Sequence, residues 1–190
     1  MKKIDSFLVP ESWDDITISQ LIKLQEIKQQ NNIQTHFKVL QVFNPKLNPQ
    51  KFDFNTVMTA CAEIYKTIQE APVMQPLNTY QIGENVYYIK EIDEIDFQCF
   101  LDFQSLTNGG DDWERITNLG LILSILTKNV PDDVDLKAFG KQIQDNVSVG
   151  VGSGVLNFFL EKLTAYLESS PTYSEMQAEL EKVNNLTKTE

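Results

Sequence analysis

Apolar residues recur along this chain at intervals of three and four, interrupted by clusters of proline, glycine, asparagine and aspartate, and that alternation predicts a mostly helical protein. The first apolar segment, residues 4–10, is short and stops at Pro10, which has no N–H for a strand ladder; it predicts an edge strand or an extended arm. A helix follows, capped by Thr17 or Ser19, with Leu21, Ile22 and Leu24 to Ile27 as its apolar stripe and Asn31-Asn32 as its breaker. Residues 33–43 make a second helix with Phe37, Leu40 and Phe43 on one face. Asp53 is placed to cap a third, whose Val57, Met58, Cys61, Ile64, Tyr65 and Ile68 fall at helical spacing before Pro72 and Pro76 close it.

The period then shortens. Thr79-Tyr80-Gln81-Ile82 and Val86-Tyr87-Tyr88-Ile89 flank Gly83-Glu84-Asn85, which reads as a β-hairpin within residues 79–90 and the clearest sheet signal in the chain. Two strands alone are marginal in water, so the hairpin must pack on helices, recruit the N-terminal segment or pair with another chain. From Asp93 the pattern is helical again, with a stripe of Phe97, Phe100, Leu101 and Leu106 ending at Asn108-Gly109-Gly110. Asp111 and Asp112 precede a helix that is apolar nearly all round, from Ile116 to Leu126, and such a helix belongs at the centre of the core. Pro131-Asp132-Asp133 begins another, carried by Val134, Leu136, Phe139 and Ile143. Ser148 opens the last core helix, with Val151, Val155, Phe158, Phe159, Leu160, Leu163 and Tyr166 as its apolar set. After Pro171, Thr172 and Glu175 have capping-box spacing and start a short charged helix. The expected fold class is mainly α (α+β by strict classification): one mostly helical domain over residues 1–170, comprising a helical part at 1–71, the hairpin at 79–90 and a helical core at 93–169, followed by a C-terminal charged helix or tail at 171–190, whose low apolar content predicts that it stands off the domain.

Charge narrows the function. Against 27 acidic residues stand 16 basic ones, a net charge of −11, and Arg115 is the single arginine. Nucleic-acid binding needs clustered Lys and Arg to replace phosphate counterions, and anionic membranes attract polybasic segments, so neither partner is expected. No run approaches the roughly 18 apolar residues of a membrane span, and the opening MKKIDSFLVP has no apolar signal-peptide region, which points to the cytoplasm. A chain of 190 residues buries roughly 70% of its unfolded surface without help from disulfides or metals. Cys61 and Cys99, the two cysteines, sit in apolar helical patterns and read as core residues.

Candidate chemistry is sparse. His36 is the only histidine, so any serine or cysteine triad would have to use it. The acid pairs Asp14-Asp15, Asp93 with Asp96, Asp111-Asp112 and Asp132-Asp133 could serve hydrolysis or bind a divalent ion, with Glu11 joining the first. Each pair precedes a helix, however, where acids satisfy free amides and complement the helix dipole, and capping is the reading preferred for all four. Gly150-Val151-Gly152-Ser153-Gly154 lacks the preceding strand, the spacing and the lysine of a phosphate loop, and reads instead as close helix approach or a hinge. No catalytic, cofactor-binding or metal-binding residue is nominated, and the chain is not expected to be an enzyme. Trp13 and Trp113, each beside acids before a helix, read first as hydrophobic staples or core anchors; with the hairpin tyrosines Tyr80, Tyr87 and Tyr88 they are also the candidate protein-interface residues, since large aromatics dominate binding hot spots.

The stretch Val9-Pro10-Glu11-Ser12-Trp13-Asp14-Asp15-Ile16-Thr17-Ile18-Ser19-Gln20 resembles the opening of small tailed-bacteriophage morphogenesis proteins of the tail assembly chaperone-like kind. The central Ile82 to Tyr88, the helix opening Ile92-Asp93-Glu94-Ile95-Asp96-Phe97, and the apolar stretches Leu119 to Leu126 and Val155 to Leu167 extend the resemblance to about Ser169. It implies a non-enzymatic role in virion assembly, in the host cytoplasm, through contacts with other phage structural proteins and with homo-oligomers as one form. The alternatives are a stoichiometric virion component such as a ring, connector or internal protein, an inhibitor directed at the host, and an enzyme built on converging acids.

Overall fold

Local hydrogen bonding sets most helix starts. The computed structural model describes residues 1–27, 32–70, 75–107, 112–130 and 133–169, apart from the side chains of Asp112 and Trp113. Helix α1, Ile18–Glu26, begins in a full capping box: the Thr17 hydroxyl accepts from the Gln20 amide, and the Gln20 side chain accepts from the Thr17 amide. Helix α2, Ile33–Phe43, is capped by Asn32, and α3, Phe54–Gln69, by Asp53, whose carboxylate accepts from the Thr56 amide. Thr17→Ala should therefore lower stability by about 1 kcal/mol, read as a shift in the urea midpoint at unchanged slope.

The acid pairs behave less uniformly than expected. Asp96 does cap α4, Phe97–Thr107, by accepting from the Cys99 amide at 2.7 Å. Asp14 and Asp15 instead lie within a 3-10 turn, Trp13–Asp15, whose cap is Ser12. Helix α6, Leu136–Asn146, starts later than Pro131-Asp132-Asp133 suggests and is capped by Asp135. Asp111 and Asp132 lie outside the described residues, as does the C-terminal charged helix or tail expected at 171–190. An aspartate caps only where its own backbone is extended and its carboxylate reaches back to the helix amides, and pairing in sequence does not secure that.

The N-terminal segment is a correction. It forms a hairpin of its own rather than one strand or arm: β1, Lys2–Ile4, pairs antiparallel with β2, Phe7–Val9. Asp5 turns the chain at φ 49, a left-handed conformation that aspartate tolerates better than most residues. Phe7 and Val9 point into the core, and the buried Asn44 of α2 ties β2 down by bonding both the amide and the carbonyl of Leu8. The second hairpin is where the sequence placed it, with β3 at Thr79–Ile82 and β4 at Asn85–Tyr88. Its turn is shorter than expected, since Asn85 already pairs with Ile82 and Gly83, at φ 60, leads a two-residue connection. The two hairpins form separate sheets. The second one packs on helices and extends onto the exit of α5, where Lys90 N–H donates to the Leu126 carbonyl and Lys128 N–H to that of Tyr88, each at 2.8 Å.

Seven α-helices and two small sheets among the described residues make this a mainly α fold. Helix α5, Asp112–Leu126, takes the central place that its all-round apolarity predicts: Leu119, Ile122, Leu123, Ile125 and Leu126 are buried. It meets α6 at a glycine contact, Gly120 against Gly140. Helix α7, Val149–Ser169, is opened by Ser148, whose hydroxyl accepts from the Val151 amide. The two ends of the fold are clamped together just before it: Ile18 N–H donates to the Val147 carbonyl, and Val149 N–H to that of Ile16.

Helix α4 is the second correction. Cys99 and Phe103 are its buried residues, Phe103 at 4.9 Å from the Phe159 ring. Phe97 is 76% exposed and Leu101 is exposed too, while Phe100 and Leu106 are half-buried, so only part of the expected stripe turns inward. With apolar residues on more than one side, the helix takes its inward face from its neighbours rather than from its own period.

Candidate functional site

Glycines set how α7 lies. A Cβ at Gly152 would sit 3.2 Å from Ile18 Cδ1 and 3.3 Å from Leu119 Cδ2, and one at Gly154 only 2.4 Å from the Gln75 carbonyl oxygen. The glycine run thus serves close approach, seating the first turns of α7 against α1, α5 and the chain before β3. The burial of α7 ends at Phe159; from Leu160 to Ser169 no residue is fully buried.

Along this second half runs an apolar groove made of three adjoining hollows. The first, of about 510 Å³, is lined by Trp13, Leu21, Ile116, Leu156 and Leu160 among others. The second, of about 420 Å³, shares Leu156 and Leu160 and adds Phe100, Phe103 and Leu163. The third, of about 400 Å³, shares Phe100, Leu163 and Leu167 and ends at Phe97 and Tyr166. Arg115 lines the first two, and its Nε donates to the Thr107 carbonyl at 3.3 Å. Leu160 at 41% and Tyr166 at 58% exposure extend the apolar surface outward. Contiguous exposed apolar surface on a small protein marks a place where another apolar element sits.

The interface candidates are distributed unevenly. Trp13 lies at one end of the groove with its indole N–H held by the Glu70 carbonyl at 2.7 Å, so its ring is both anchored and part of the lining. Trp113 belongs to α5, but its side chain lies outside the described residues. Tyr80 is a core residue and not a surface anchor: its hydroxyl shares a 2.7 Å hydrogen bond with Thr127, its ring stacks on Tyr87 at 5.3 Å, and burial pushes its phenol above the usual range. Tyr87 is half-buried against Phe139, which leaves Tyr88, beside the exposed Val86, as the hairpin's outward aromatic. Leu160, Leu163 and Tyr166, expected in the core set of this helix, line the hollows instead, together with Leu156 and Leu167. The signal was present in the spacing of Leu156, Leu160, Leu163 and Leu167, which is that of a helix-pairing seam.

Two of the residues weighed for chemistry, His36 and Asp15, are held in structural contacts. His36 is half-buried, its Nδ1 3.3 Å from the Tyr65 hydroxyl. Asp15 accepts from the Met1 amino group and the Glu11 amide, contacts that hold its carboxyl below the usual range. Among the described residues no group of three His, Cys, Asp or Glu side chains is placed to hold a metal ion. Burial pushes the Cys61 thiol up to about 12 and raises that of Cys99. Both thiols should accordingly resist a maleimide at pH 7 in the native protein and react within minutes in denaturant; native-state labelling as fast as unfolded-state labelling would contradict their placement.

No helix of the described residues is long and apolar enough to cross a membrane. No protein-family model, curated protein or solved structure matches the chain. The fold and the hollows define a small, mainly helical protein with apolar hollows along the second half of α7.

Proposed function

We propose that the chain is a non-enzymatic binding protein that acts in bacteriophage virion assembly, in the manner of a tail assembly chaperone. It would hold an apolar segment of a tail or head protein until that protein polymerises. The observation carrying this reading is the row of adjoining apolar hollows from Trp13 to Tyr166 along α7. A groove between helices, walled by leucines and phenylalanines, suits an amphipathic helix laid in by its apolar face. The resemblance of residues 9–169 to small morphogenesis proteins supplies the assembly context, and the net charge of −11 keeps such a complex soluble and away from nucleic acid.

The test is retention of phage structural proteins from an infected-cell extract by the immobilised chain. Leu160→Asp places a charge in the groove at a position already 41% exposed, so it should leave the melting temperature within a few degrees. It should cut retention by about tenfold or more, the cost of losing one buried anchor. Undiminished retention by the variant would move the binding surface elsewhere; no retained phage protein at all would end the assembly reading.

A further inference from the structure

Helix α7 carries a seam that matches itself when turned end for end. Leu156, Leu160, Leu163 and Leu167 recur at steps of four, three and four, the a/d spacing by which one helix lies along another. The steps read the same from either end, so an antiparallel copy sets Leu156 against the partner's Leu167 and Leu160 against the partner's Leu163. None of the four is fully buried, and Leu160 is 41% exposed. The residues flanking the seam, Asn157 and Thr164 on one side and Tyr166 on the other, carry no charge. In a chain of net charge −11, copies repel wherever acids meet, and this strip offers none. Arg115, the single arginine, is exposed and lines one hollow together with Leu156 and Asn157, which puts it on the Asn157 flank near that end of the seam. Glu168 is exposed too and stands four residues beyond Thr164, on the same flank at the opposite end.

We propose that a second copy of this chain covers the hollows, the two α7 helices packing antiparallel about a two-fold axis level with Glu161 and Lys162. Each copy then shields its partner's leucines with its own, as an isologous contact requires. The same pairing brings Arg115 to the partner's Glu168, and symmetry makes that charge pair twice. Residues 156–169 give a strip about 20 Å long and about 10 Å wide, small beside the roughly 800 Å² per partner of a stable interface. The dimer is therefore weak and exchanges readily. This role rests on the proposed function, in which the hollows receive an apolar helix, and it makes a second copy the competitor of the assembly partner. Self-pairing keeps the leucines from water until a partner's segment replaces the second copy.

Sedimentation equilibrium of the full-length chain tests this, over a series from about 5 to about 500 µM that brackets the micromolar affinity of so small an interface. The mean mass should rise from one chain toward two and stop there, because a two-fold contact closes on itself. Leu160→Asp should weaken association at least about tenfold. Arg115→Glu and Glu168→Arg should each weaken it about threefold or more, since either change sets like charges together at both symmetric places. The double variant Arg115→Glu/Glu168→Arg should recover the parent's association. Glu168→Arg, at an exposed position, and Leu160→Asp carry the test should Arg115→Glu lower the melting temperature. A mass of one chain throughout overturns the proposal and leaves the hollows to another occupant. So does association that Leu160→Asp leaves unchanged, growth beyond two chains, or a double variant no better than the singles. A monomer that still retains phage proteins defeats the dimer alone; a dimer behaving as stated in a chain that retains none defeats the assembly reading alone.

Discussion

Leu123→Ala is expected to lower the unfolding free energy by about 2–5 kcal/mol. Leu123 is fully buried at the centre of α5, between the helices that α5 contacts, and its Cδ1 lies 3.6 Å from where a Cβ on Gly152 of α7 would be. Truncation there removes apolar contacts and leaves a hole that α7 cannot fill, because Gly152 has no side chain to offer. For a protein of this size each kcal/mol is worth roughly 2–4 °C in melting temperature, so calorimetry would resolve the change easily. Phe97→Ala is the comparison. That ring is larger but 76% exposed, and its loss should stay within about 0.5 kcal/mol. A Leu123→Ala protein that melts like the parent would put the core elsewhere.

Gly120→Ala should destabilise by about 1–3 kcal/mol, although alanine is the better helix former. Within an exposed helix the exchange would gain up to about 1 kcal/mol from backbone entropy. At Gly120 the new methyl would meet the Gly140 carbonyl oxygen at 2.4 Å and Gln144 Cγ at 2.5 Å. Gln144 can swing away, at the expense of its 2.8 Å bond to the Thr117 carbonyl. The Gly140 carbonyl cannot move without separating α5 from α6, and Gly140 is itself packed 3.1 Å from the Leu121 backbone by the same measure. Gly152→Ala should cost less, since its nearest neighbours are the methyl ends of Ile18 and Leu119. Chemical denaturation of the three proteins gives the order, and a stabilised Gly120→Ala would mean that the helices have room to part.

Much of the helical layout was legible because it is written in short-range chemistry. Asn32 and Phe43 bracket α2 as the spacing indicates, and Asp53 and Thr17 cap where a short polar side chain precedes an apolar run. The hairpin at residues 79–88 follows from β-branched and aromatic arms around a glycine. The N-terminal hairpin escaped notice because Lys2 and Lys3 dilute its first strand and its turn uses aspartate where glycine or asparagine is the stronger signal. Of the candidate surface aromatics, Tyr80 and Tyr88 belong to the same hairpin with equal claims from composition. The pleat sends Tyr80 inward, under Thr127, and Tyr88 outward.

The groove divides the same way. That α7 is apolar over most of its length, and that Leu156, Leu160, Leu163 and Leu167 share one side of it, follows from the sequence alone, since a helix fixes which residues are neighbours three and four apart. Which of those residues are covered was decided by tertiary packing. Glycines 150, 152 and 154 bring the first half of α7 against partners remote in sequence, Asp14, Ile18, Leu119 and Leu77, while its second half faces α4 across an open cleft. The same holds for α4, which buries Cys99 and Phe103 and leaves Phe97 outside. Period and capping act within a turn or two of helix, so the chain carries them locally. The choice among several apolar faces depends on contacts between distant segments, and no local spacing encodes that.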